Sequence, residues 1–184
     1  MNAVTQIAKS GEVIWNIKTR ILHWLIAACV AANIINDGDD GARLPHEIVG
    51  YLVMALVSVR LAYGFLAKSS DSFHTQFKNL PLNPSKVVEF LKAELSNKIL
   101  HYKGHNPLAA WTYIAIWLSI LSLGVTGFMM GLDAFWGEEW IEEFHETLSN
   151  VLLALLAMHM AGMLKDAFKK KEKTWLKMIK GKVR

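Results

Sequence analysis

Four long stretches nearly empty of charge constrain this chain more than any other feature. Residues 21–36 lie between Arg20 and Asp37, residues 48–67 are interrupted only by Arg60, and residues 104–132 and 147–164 carry no acidic residue, lysine or arginine. A helix crossing the hydrocarbon core of a bilayer needs roughly 17–25 mostly apolar residues, and flanking residues extend the shortest stretch to that length. None alternates with the period of two that a barrel strand requires, and only helices or closed barrels satisfy their backbone in lipid. The expected fold is therefore all-α, an integral membrane four-helix bundle. Its helices span about 20–36, 46–67, 106–131 and 145–164, in one domain covering residues 1–184.

The charges sort by side. Eighteen of the 20 basic residues fall before the first helix, between the second and third, or after the fourth; Arg43 lies on the other side and Arg60 within the second helix. By the positive-inside rule both termini are cytoplasmic. Asp37, Asp39, Asp40, Glu47, Asp133, Glu138, Glu139, Glu142, Glu143 and Glu146 gather at the opposite face. The net charge of +4 is thus the sum of a basic inner face and an acidic outer one, and nucleic acid is not an expected partner. One cysteine rules out a disulfide framework, and 53% hydrophobic content rules out a disordered chain. The polar start, with no small-residue cleavage site after the first apolar run, does not read as a cleavable signal peptide. The acidic outer patch has two readings, a surface that steers a basic redox partner and a simple lack of retained lysines.

Between the second and third helices, residues 85–96 place Val87, Val88, Leu91 and Leu95 at helical spacing behind Ser85 as N-cap, which reads as a cytoplasmic amphipathic helix on the membrane surface. The basic tail, 165–184, includes Lys169, Lys170, Lys171 and Trp175 and reads either as solvated or as a contact to anionic lipid headgroups.

Histidines supply the chemistry. His145 and His159 are fourteen residues apart on the fourth helix, about 21 Å of rise and within roughly 40° of one face. His46, at the outer start of the second helix, is level with His145, and His23, near the inner end of the first, is level with His159. Two facing imidazole pairs result, one near each membrane surface. A planar haem fits such pairs, since its equatorial nitrogens come from the porphyrin and its edges are apolar. Small residues one turn away, Ala27, Gly50, Ser149 and Gly162, leave lateral room. Without a Cys-x-x-Cys-His motif the two haems are of b type, held non-covalently. The competing reading is interhelical hydrogen bonding by the same histidines in a membrane anchor or assembly protein. Glu142 and His145 form one Glu-x-x-His, where a di-iron bundle needs two. A structural zinc lacks a third ligand at either level.

Arg60 follows His46 by fourteen residues and falls on the same face at the inner level. It is read either as the partner of the inner haem's propionates or as an arginine snorkelling to headgroups. His105 and Asn106, at the start of the third helix, are candidates for a quinone or proton site, or else a helix-start turn ahead of Pro107 with Asn106 as cap. His74 and His101 are expected to be solvated loop residues.

The sequence resembles the four-helix bacterial di-haem cytochromes b of the 561 type, which are similar to the b-type cytochrome subunits of nickel-iron hydrogenases. The resemblance rests on Arg20-Ile21-Leu22-His23-Trp24, His46-Glu47-Ile48-Val49-Gly50-Tyr51, Gly104-His105-Asn106-Pro107-Leu108 and the His145 and His159 pair, and runs from about Trp15 to Leu164. It implies His23, His46, His145 and His159 as axial ligands of two b haems in a bacterial inner-membrane electron carrier. It further implies exchange with a quinone pool and with a redox partner, a periplasmic cytochrome c or a membrane-bound enzyme such as a hydrogenase. The oligomeric state is open, with a homodimer among the assemblies.

Overall fold

The structure, a computed structural model, describes residues 15–36, 42–68, 75–98, 100, 102, 105–170 and 174–181. His74, His101, Gly104, Lys171, Asp37, Asp39 and Asp40 lie outside these residues. The elements are α1 (Ile17–Ile35), α2 (Arg43–Leu66), α3 (Pro84–Leu95), α4 (Pro107–Met130), α5 (Glu139–Lys170) and α6 (Thr174–Lys180), with short 3-10 turns at Phe77–Asn79 and Asp133–Phe135. There is no strand among the described residues. Four helices, α1, α2, α4 and α5, are long and apolar enough to cross a membrane.

Asparagines start three of the helices. The side-chain oxygen of Asn16 accepts from the Thr19 amide at 2.9 Å, that of Asn83 from Ser85 at 3.0 Å, and that of Asn106 from Ala109 at 2.8 Å. Each satisfies an amide that the first turn leaves without a helical acceptor. Asn83, not Ser85, therefore caps the amphipathic helix. Pro84 takes the first helical position, where its missing amide costs nothing, and moves the cap one residue upstream of Pro84. The same helix ends on Asn97 in the left-handed region (φ 57°), with Lys98 and Asn97 amides bonded to the Ala93 and Glu94 carbonyls.

The fourth membrane helix is longer than its uncharged run. It starts at Glu139 rather than near residue 145, because Glu139 and Glu142 in the first turn favour the positive end of the helix dipole and charge alone does not end a helix. His145 consequently lies inside α5 instead of opening it. At the other end α5 continues through Lys165 to Lys170, so the basic tail begins as helix and resumes as α6.

Several large apolar side chains of the membrane helices face outward, as lipid permits, and several hydroxyls face inward. Phe65, Leu118 and Val125 are exposed, whereas Thr19, Thr112, Ser119 and Thr126 are buried.

The chain divides into two compact units. One comprises residues 1–20, 62–114 and 158–184. Here Asn16 donates to the Tyr63 hydroxyl at 2.6 Å, the Thr19 and Thr75 hydroxyls meet at 3.3 Å, and Arg20 donates to the Ile179 carbonyl. Gly181, at φ 75°, follows α6 and accepts from the Trp15 amide; a Cβ there would collide with the Trp15 carbonyl. Helix α3 buries Phe90 and sends Glu94 to Lys165 (2.5 Å) and Lys169 (3.2 Å) of α5. Burial alone would raise the Glu94 carboxyl, but hydrogen bonds and charge from these two lysines outweigh it and hold the group below its ordinary value.

The second unit comprises residues 21–61 and 115–157, with Val30, Val53, Val57, Ile116, Ile120 and Leu152 buried. Gly124 of α4 lets Met54 of α2 approach so closely that a Cβ would run into its sulfur.

Candidate cofactor site

Within the second unit, all four membrane helices line one cavity of about 540 Å³. This falls inside the roughly 300–1,000 Å³ of small-molecule and cofactor pockets. His46 and His145 both face it, along with Gly50, Gly124, Gly127 and Ser149. Two of the four small residues named from spacing, Gly50 and Ser149, are therefore cavity residues. Gly162 belongs to the other unit, where it is exposed with open space beside it.

The two imidazole rings are 6.4 Å apart between centroids, at an interplanar angle of 61°. A metal held by two imidazole nitrogens at roughly 2 Å each would set the centroids about 6 Å apart, so the spacing suits one iron between them. Each ring is also anchored from behind. Nδ1 of His46 is 2.6 Å from the Asn36 carbonyl oxygen, and Nδ1 of His145 is 2.7 Å from the Thr126 hydroxyl. With both Nδ1 atoms engaged, the Nε2 atoms are the nitrogens left for a ligand, the arrangement that metal-binding histidines use to fix ring orientation. Gly127 permits ordinary contact with the edge of the His145 ring; a Cβ there would lie 3.6 Å from Cε1. The residues present thus fit a planar, bis-imidazole group. Among the described residues, no three His, Cys, Asp or Glu side chains gather to hold a metal ion, so neither the di-iron nor the zinc reading finds a donor set.

Three further residues join the site that the histidine spacing did not name. Asn33 of α1 lines the cavity; with its amide oriented to satisfy both ends, it donates to the His46 carbonyl (3.3 Å) and accepts from the Gly50 amide (3.2 Å). Arg43 also lines the cavity, bonds Glu47 at 2.9 Å, and stands 5.8 Å from the Trp136 ring centroid. Thr126 is the third. It completes a buried hydroxyl series on α4, Thr112, Ser119 and Thr126, at seven-residue spacing. That series was the available signal, because seven residues return a helix to nearly the same face.

Arg60 is 2% exposed, with its guanidinium 5.4 Å from the Trp117 ring centroid, within cation–π range. An arginine so buried does not snorkel, and that reading is set aside. His23 is half-buried in the second unit, with its ring edge-on to Trp24 at 5.4 Å, and His159 is half-buried in the first. His105 packs between Trp15 (5.1 Å) and Tyr113 (5.2 Å), beside the capping Asn106.

No curated protein and no solved structure matches the chain. A family model does, that of prokaryotic cytochrome b561, over residues 14–181. With the matched span covering nearly the whole chain, and the membrane helices and the facing His46 and His145 within it, the protein belongs to the prokaryotic cytochrome b561 family.

Proposed function

We propose that this protein is a di-haem b-type cytochrome of the bacterial inner membrane, moving electrons between a quinone pool and a redox partner such as a cytochrome c. The observation that carries the reading is the His46 and His145 pair, 6.4 Å apart, anchored at Nδ1 and facing one cavity. His46 and His145 hold the outer haem through their Nε2 atoms. His23 and His159, paired by the helical rise and antiparallel order of the sequence, would hold the inner one. Bound in this way, haem supplies one-electron chemistry whose potential is set by its axial ligands, burial and surrounding hydrogen bonds.

The chain's own residues do the rest. Asn33 clamps the α2 turn that carries His46, and Asn36 and Thr126 orient the two rings. Arg43 gives the outer cavity a cation for haem propionates, while Arg60 supplies one deeper in α2 for those of the inner haem. His105 is the proton-handling group of a quinone site at the cytoplasmic start of α4, with Asn106 fixing the turn that presents it. By the positive-inside rule, the basic residues of the loops and the tail support an orientation with both termini in the cytoplasm.

A reduced-minus-oxidised absorption spectrum with haem extraction tests the reading on purified protein. It predicts a b-type alpha band and two extractable haems per chain; absence of both would leave a membrane anchor as the account of the histidines.

A further inference from the structure

Thr126 makes three short polar contacts with a single hydroxyl. Its Oγ1 lies 3.0 Å from the Ser122 carbonyl oxygen, 3.1 Å from that of Leu123 and 2.7 Å from Nδ1 of His145. A hydroxyl owns one proton, and a carbonyl can only accept. Were that proton turned toward His145, two carbonyl oxygens would face the hydroxyl oxygen with no hydrogen between. The arrangement is satisfied when Thr126 donates back to its own helix, as buried threonines do, and accepts a proton from the ring. His145 then carries its hydrogen on Nδ1 and its lone pair on Nε2.

His46 reaches the same state by another route, since its Nδ1 partner is the Asn36 carbonyl, which can only accept. Both cavity rings therefore share one tautomer, but the partner of His46 is main chain and that of His145 is a side chain. Substitution can change only the second.

We propose that Thr126 is a positioning residue for the outer haem: its hydroxyl holds His145 in the Nδ1–H tautomer, aims Nε2 into the cavity and raises the electron donation of the ring. The inference rests on the reading of His145 as an axial ligand. An imidazole whose N–H keeps an acceptor is the more basic ligand, and such a ligand favours the oxidised iron. Removing the acceptor weakens the bond and moves the potential upward. It also leaves a buried N–H without a partner.

The test compares the full-length chain with Thr126→Val, which keeps the shape and loses the hydroxyl, with Thr126→Ser, which keeps the hydroxyl, and with His145→Ala. Each is purified in detergent, its haem content measured, and its midpoint potentials read by redox titration. Thr126→Val is expected to bind the outer haem about 10- to 100-fold more weakly and to raise its midpoint, with the inner midpoint unmoved as the sign that the chain is folded. Thr126→Ser restores both values, which a mere packing role for the threonine would not require. If Thr126→Val matches the wild type in haem retention and in both midpoints while His145→Ala loses a haem, the positioning role is overturned and the ligand reading stands. If His145→Ala loses no haem, the ligand reading fails and takes this inference with it.

Discussion

Nδ1 of His46 lies 2.6 Å from the carbonyl oxygen of Asn36, the residue that directly follows α1. The end of one membrane helix thereby orients a side chain in the first turn of the next. The contact uses a carbonyl that the α1 terminus leaves without a helical donor, so the same hydrogen bond completes a helix end and aims a candidate ligand.

Helix packing in the second unit depends on Gly124, where Met54 occupies the space a side chain would need. Gly124→Leu is expected to cost about 1–3 kcal/mol through overpacking. Thermal unfolding in detergent would show it, and adding Met54→Ala should recover part of the loss.

Asn106 separates two roles by substitution. If its contribution is the cap on α4, Asn106→Ala loses about 1 kcal/mol of stability, while Asn106→Ser and Asn106→Asp retain nearly all of it. Quinone-dependent haem reduction, measured alongside, should follow His105→Ala and leave Asn106→Ser unaffected.

Glu94 ties α3 to Lys165 and Lys169, and its carboxyl is held below the ordinary value near 4.5. A depressed carboxyl contributes stability that is complete above its unfolded value and is lost as pH falls through the folded one. The tie should therefore hold at neutral pH and release below about pH 4.5, with an effect of about 0.2–1 kcal/mol for ion pairs that water still reaches through Lys165. Proteolysis of the segment between α2 and α4 at graded pH would report the release. Glu94→Gln should make cleavage fast at every pH.

The four membrane helices could be read from residues because lipid excludes charge, and Arg60 inside the second run was the only exception to a clean pattern. The juxtaposition of His46 and His145 was equally legible. His46 and His145 needed only helical rise and antiparallel order to be placed at one level, and the structure brings their rings to 6.4 Å. Helix ends were harder. Uncharged runs mark what lipid covers, not where hydrogen bonding stops, which hid the start of α5 at Glu139, and a proline at N1 hid Asn83 behind Ser85. Thr126 was out of reach for a different reason. Its contact with His145 depends on how α4 is rotated about its own axis, which the spacing of histidines on other helices does not specify, although the buried hydroxyls at 112, 119 and 126 point to the polar face.

The pairing of histidines is the central claim, and redox titration of the His145→Ala and His159→Ala proteins tests it most directly. The account predicts that each variant loses one b haem and keeps the other, with the surviving midpoint different in the two. Retention of both haems by either variant, or loss of the same haem in both, would contradict it.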